Sequence, residues 1–211
     1  TSATAPTSEA HAQSRQILAS GESLKAIQVH DSYLIAETNE GMVVIDQHAL
    51  HERIIYEELR QRIANGKVES QGLLVPEPID LPANEATAIL EHSDLLAELG
   101  LDVEPFGNST VLLRGTPAML SHLSSDRLIR DLAEQLTTGP LPPTRDGLLA
   151  EILHMVACKA AVKAGDRLTP EEVGSLLARR HLVADSHHCP HGRPTALVFT
   201  KAELEKQFGR I

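Results

Sequence analysis

Both cysteines of this chain stand beside groups able to bind a metal ion. Cys189-Pro190-His191 brings a thiolate and an imidazole together in a stretch of loop composition, at a spacing that can wrap one ion. Asp46-Gln47-His48-Ala49-Leu50-His51-Glu52 lies where strand-like alternation gives way to helical periodicity. On a helix His48 and Glu52 are i and i+4, about 40° apart around the axis, so both can point at one ion. Asp46, just outside the helix, can reach the same space. Glu57 falls roughly 140° round from Glu52 and nearly opposite His48, which suits a structural partner better than a ligand. Thiolate, imidazole and carboxylate together form a zinc-like donor set. Taken singly, His-x-x-x-Glu reads as a solvated pair and Cys158 as a buried thiol on an apolar helix. The metal reading needs them jointly. His51, His154, His187 and His188 compete for the role and read as surface or supporting groups, with His188 kept as a candidate because it adjoins Cys189.

The elements that must position these groups show as changes of period. Alternating apolar residues over 25–29, 33–37 and 42–46, separated by His30-Asp31-Ser32 and Thr38-Asn39-Glu40-Gly41, predict an antiparallel three-strand meander. Helical spacing follows over 48–64 and stops at Asn65-Gly66. An extended, proline-punctuated stretch runs from Gly72 to Pro82. Helices are predicted over 83–99 and 124–137, with a hairpin over 103–114 between them. Gly139-Pro140-Leu141-Pro142-Pro143 reads as a stiff linker. A long helix over 145–164 carries Cys158; Thr169-Pro170-Glu171-Glu172 opens another through Arg180; a strand over 195–200 and a short helix close the chain. The expected fold class is α/β, of α+β type: a discontinuous unit of residues 16–65 and 145–211, interrupted by an inserted unit of residues 66–144. Residues 1–15 read as the end of a flexible linker, so the chain is expected to be a fragment of something longer.

Composition narrows the function classes. Nineteen Lys and Arg against 29 Asp and Glu give a net charge of −10, which argues against a protein that holds nucleic acid by itself. No apolar run approaches the roughly 18 residues of a membrane span, so no membrane partner is expected. Two cysteines cannot build a disulfide scaffold, and a reducing, cytoplasmic setting is expected.

The motifs carry a family resemblance. Asp46-Gln47-His48-Ala49, two residues, Glu52, four residues and Glu57 resemble the endonuclease motif of the MutL mismatch-repair family. Ala157-Cys158-Lys159 resembles that family's Ala-Cys-Arg/Lys motif, with Lys159 where many relatives have Arg. Cys189-Pro190-His191-Gly192-Arg193-Pro194 matches a further motif without a change, and Phe208-Gly209-Arg210 is similar to the Phe-x-Arg that closes these chains. The resemblance, in motif order over 46–210, is to MutL C-terminal domains of the endonuclease-bearing type. It implies a dimerisation subdomain interrupted by a regulatory one, and a homodimer that nicks one strand of duplex DNA by metal-dependent phosphodiester hydrolysis. It implies Asp46, His48, Glu52, Cys158, Cys189 and His191 as ligands of a two-metal site, with Asp46 a ligand or essential neighbour. Asp46, His48 and Glu52 would be the catalytic group. Zn2+ and Mn2+ are the implied ions: zinc toward Cys158, Cys189 and His191, a labile ion toward Asp46 and Glu52. Lys159 and Arg193 are expected either to hold the scissile phosphate or to neutralise the acidic cluster. MutS is implied as a partner through the full-length protein.

Gln71-Gly72-Leu73-Leu74-Val75-Pro76 resembles the family's motif for the replication sliding clamp, with Gln71, Leu73, Leu74 and Pro76 as its elements. The opposing reading is a strand that buries both leucines in its own core. Two other classes compete with the nuclease: a non-catalytic dimerisation module with a structural zinc, and a zinc hydrolase acting on something other than DNA.

Overall fold

The computed structural model describes residues 24–66, 68–138, 142–183 and 195–210. The linker expected at 1–15, residues 139–141 of the proline stretch, and His187, His188, Cys189, His191 and Arg193 lie outside the described residues. The described part is a mixed α/β chain with two antiparallel sheets and seven α-helices. It falls into two compact units, Thr1–Glu57 with Ala161–Ile211, and Glu58–Ala160.

In the first unit the strands β1 (Ala26–Val29), β2 (Tyr33–Thr38) and β3 (Gly41–Asp46) form the meander, and β7 (Ala196–Thr200) adds to β3. All three pairings are antiparallel, in the register Ile27↔Ile35, Ile35↔Val44 and Val44↔Leu197. Period-2 alternation sends Leu34, Ala36, Val43, Ile45 and Ala196 to the inner face. There they pack with Leu50 and Ile54 of helix α1 (Gln47–Ala64) and with Val173, Leu176 and Leu177 of helix α6 (Pro170–Ala178). Thr169 caps α6 in a reciprocal capping box with Glu172. The last helix, α7 (Lys201–Gln207), starts from an equivalent box of Thr200 and Glu203. It ends in a Schellman turn at Gly209, where the Arg210 N–H reaches the Glu205 carbonyl and the Gly209 N–H reaches that of Lys206.

In the second unit β4 (Ser70–Asp80) and β5 (Asp102–Pro105) flank β6 (Thr110–Pro117). Helix α4 (Ser125–Thr138) buries Leu128, Ile129, Leu132 and Leu136 along one stripe and packs against α2 (Ala83–Glu91). The single helix expected over 83–99 is two, α2 and α3 (Ser93–Glu98), broken at His92. The ring Nδ1 of His92 donates to the Ala88 carbonyl at 2.8 Å, and its own backbone N–H to that oxygen is stretched to 3.3 Å. A side chain has entered the helical ladder and kinked it. The helix expected over 145–164 also stops early, as α5 (Arg145–Ala160). The backbone of Val162, just beyond it, bonds to two histidines of α1.

Candidate metal centre

The site begins where β3 runs straight into α1. Asp46 closes the strand by donating its N–H to the Thr195 carbonyl at 3.0 Å. Its Oδ1 accepts the Ala49 N–H at 3.0 Å, so the carboxylate caps the helix and places negative charge at its positive end. The second carboxylate oxygen is not used by the cap.

Gln47 continues the inward alternation of Val43 and Ile45 and is fully buried. Its Nε2 donates to the carbonyls of Asp31 at 2.8 Å and Asp166 at 3.0 Å, with a longer contact to Lys163 at 3.3 Å. Its Oε1 accepts from Gln28 at 2.7 Å, and Gln28 in turn bonds the Asp166 carbonyl and the Leu168 N–H. Asp31 sits at φ 47 and His30 at φ 53, a left-handed turn that two non-glycine residues adopt only at a cost. Gln47 and the Gly165 N–H both hold that turn through the Asp31 carbonyl. The motif alone gives Gln47 no role. The available signal was the two-residue period, which carries 43 and 45 inward and 47 after them.

His48 and His51, one turn apart on α1, grip the same backbone residue from opposite polarities. The Val162 carbonyl can only accept, so His48 donates to it from Nδ1 at 2.8 Å. The Val162 N–H can only donate, so His51 accepts it at Nδ1 at 3.1 Å. In the neutral rings the tautomers are therefore opposite: His48 keeps a lone pair on Nε2, and His51 has its proton there. The Nε2 of His48 stands 4.0 Å from Oε2 of Glu52, whose side chain is 2% exposed. An imidazole nitrogen and a carboxylate oxygen facing each other can share a proton or a metal ion. A charge-assisted hydrogen bond would close the gap to about 2.8 Å. Two ligands of one tetrahedral ion lie roughly 3.3 Å apart at bond lengths near 2.0 Å. The 4.0 Å gap is longer than either; the donor types are ones that could hold a metal ion, and His48 has its other ring nitrogen held by a carbonyl, as metal-ligating histidines do.

The remaining predicted residues are distributed as follows. Glu57 is buried and paired with Arg53, whose guanidinium also lies over the Tyr56 ring. Cys158 belongs to the second unit, half-buried on the last turn of α5. Lys159 beside it is ion-paired with Asp131 at 2.6 Å, so its ammonium already has an anionic partner. Among the described residues no group of three or more His, Cys, Asp or Glu side chains gathers around one point. Cys189 and His191 are not among the residues so described. Gln71, Leu73, Leu74 and Pro76 lie on β4, where the pairing jumps from Gly72↔Gly115 to Glu77↔Leu113. Residues 73–76 thus bulge opposite Arg114 alone, with Leu74 fully exposed and Leu73 half-buried. The reading in which the strand buries both leucines does not hold for Leu74.

The fold and site define a mixed α/β chain with a histidine–carboxylate pair at a strand-to-helix junction and exposed apolar side chains, Ile27, Leu197 and Phe199, on its first sheet. A family model for the MutL C terminal dimerisation domain matches residues 26–168, and the chain belongs to that family. It is 39% identical over 186 residues to the DNA mismatch repair protein MutL of Rhizobium rhizogenes, covering 87% of this chain and 30% of that protein. It is 40% identical over 186 residues to MutL of Brucella abortus, covering 87% of this chain and 29% of the relative. The chain thus spans about 30% of the length of these curated relatives.

Proposed function

We propose that this chain is the homodimerising, DNA-nicking part of a mismatch-repair MutL protein, with its metal centre built on the start of α1. The observation that carries the reading is the His48 ring, held at Nδ1 by the Val162 carbonyl with Nε2 turned toward the buried Glu52. His48, Glu52 and Asp46, with Cys158, Cys189 and His191, would hold a pair of ions, Zn2+ and Mn2+. Bound ions at such a site supply Lewis-acid polarisation of a phosphodiester and neutralise charge on the departing oxygen. The chain's own residues do the positioning. Asp46 locks the strand-to-helix corner while offering a second carboxylate oxygen, Gln47 ties that corner to the 163–166 turn, and Glu52 supplies a buried carboxyl group.

Dimerisation is assigned to the outer face of the first sheet. Ile27, Ile35, Val44 and Leu197 form one cross-strand row, and Met42 with Phe199 extends it. Ile27 is 67% exposed, Tyr33 45%, Leu197 42% and Phe199 38%, a contiguous apolar surface that a second copy would cover. The bulge at 73–76 offers the sliding clamp an exposed Leu74 beside Gln71 and Pro76. Duplex DNA would arrive through the rest of the protein, together with MutS, because a domain of net charge −10 attracts it poorly.

The test is nicking of supercoiled plasmid in Mn2+, alone and with clamp, by the wild type, Asp46→Asn and Glu52→Lys. Nicking by the wild type that both variants lose supports the nuclease. Zinc binding without nicking under every condition makes the domain a dimerisation module. Gln71→Ala with Leu74→Ala should remove stimulation by the clamp and leave the dimer intact.

A further inference from the structure

Helix α1 carries two histidines one turn apart near its start, and their partners separate them. His48 donates from Nδ1 to the Val162 carbonyl, and His51 accepts the Val162 N–H at its own Nδ1. Because a peptide N–H cannot accept and a carbonyl cannot donate, the two rings hold opposite tautomers. The His51 ring nitrogen that carries a lone pair is thus engaged by the backbone, and only His48 has a ring lone pair to offer an ion. We infer that His51 is a positioning residue: it clamps Val162 so that the Val162 carbonyl fixes the tautomer and orientation of His48, whose Nε2 faces Glu52.

The physical case rests on what the Val162 backbone would otherwise do. Helix α5 ends at Ala160, and the segment after it has no helical or strand ladder to hold it. Gln47 anchors the following turn through the carbonyls of Lys163 and Asp166, and the Lys163 N–H bonds the Asp166 carboxylate. At Val162 itself the two histidines hold the carbonyl and the N–H. Without the His51 acceptor the Val162 N–H turns to water, its carbonyl shifts with it, and His48 loses the partner that excludes its other tautomer. Ligand-supporting hydrogen bonds of this kind typically set metal affinity by about 10- to 100-fold. The assignment of His51 rests on His48 being a ligand, but the tautomer of His48 is measurable without any metal.

The experiment uses the whole chain, labelled with 15N at histidine, first in chelator and then titrated with Zn2+ alone. Long-range proton–nitrogen correlation reads each ring's tautomer. In the metal-free wild type His48 should appear as the Nδ1–H form and His51 as the Nε2–H form; the same tautomer in both rings overturns the inference before any variant is made. His51→Asn places an amide oxygen near the Nδ1 position and should keep the His48 signal. His51→Phe keeps ring volume without an acceptor and should give His48 a mixture of tautomers, with Zn2+ affinity about tenfold or more weaker. His51→Ala serves the same comparison if the Phe variant misfolds. An unchanged His48 tautomer in a folded acceptor-less variant overturns the inference. Fixed tautomers with rescue by Asn, in a wild type that binds no Zn2+, uphold the clamp and overturn the metal reading under Proposed function instead.

Discussion

Asp46 does two things that single substitutions can separate. Its Oδ1 caps α1 through the Ala49 N–H, and its second carboxylate oxygen is left outside that cap for the metal proposed above. Asn caps as well as Asp, so Asp46→Asn should leave urea stability within about 0.5 kcal/mol of wild type while nicking is lost; Asp46→Ala should cost about 1 kcal/mol. Gln47 is a harsher case. Replacing it with Leu strips partners from the Asp31 and Asp166 carbonyls and from Gln28 in a dry site, and should cost about 2–4 kcal/mol in denaturant unfolding. A loss under about 0.5 kcal/mol would mean that water replaces the amide without penalty. The contrast shows what spacing can and cannot reveal. The i, i+4 relation of His48 and Glu52 is local and readable from the chain. The roles of Gln47 and His51 depend on acceptors and donors at 162–166, more than 110 positions away, which no periodicity reports.

The elements were legible wherever their cause is local. Alternation marks β1 to β3, and turn residues mark the gaps between them. Gly41 illustrates a turn residue with a steric reason: it sits at φ 153, and an added Cβ would lie 2.1 Å from the Phe199 carbonyl. Gly41→Ala must therefore open the β3–β7 ladder, and a loss of about 3 kcal/mol or more in thermal unfolding is expected. Helix ends governed by distant groups were not legible. The helix expected over 145–164 ends at Ala160, and Val162 just beyond it is held by the histidines of α1. At the last helix, the Thr200 N–H and hydroxyl hold the Glu203 carboxylate below its ordinary pKa. A depressed carboxylate contributes stability above its unfolded-state value, and that contribution disappears as pH falls through the folded one. Amide protection in α7 should therefore fall on acidification below the ordinary glutamate range. Glu203→Gln should remove that pH dependence, and equal pH profiles for the two proteins would assign the fraying to another group.

For the whole molecule the decisive feature is a sheet with one face in the core and the other open. An antiparallel sheet can face water on one side, but that side is then normally polar. Here the outward row Ile27, Ile35, Val44 and Leu197 is apolar across all four strands. The inner face is filled by α1 and α6, while the outer one is bordered by α7, whose Leu204 lines a pocket with Ile35 and Met42 and leaves Ile27 and Leu197 exposed. A self-complementary pairing of two such faces removes both from water at once, and each large side chain fully covered contributes about 1.5–3 kcal/mol. Charge works in the same direction as a selector. With −10 on each chain, copies repel unless the contact is apolar and close, which favours one specific face over diffuse association. Leu197→Glu, placed opposite Val44, puts a carboxylate in the middle of the row without disturbing the buried side of β7. Light scattering at micromolar concentration should then read 22.9 kDa in place of twice that value, with the far-ultraviolet circular dichroism unchanged. Glu77→Lys, on the other sheet, is the control and should remain dimeric. A Leu197→Glu protein that stays dimeric would move the interface off this sheet.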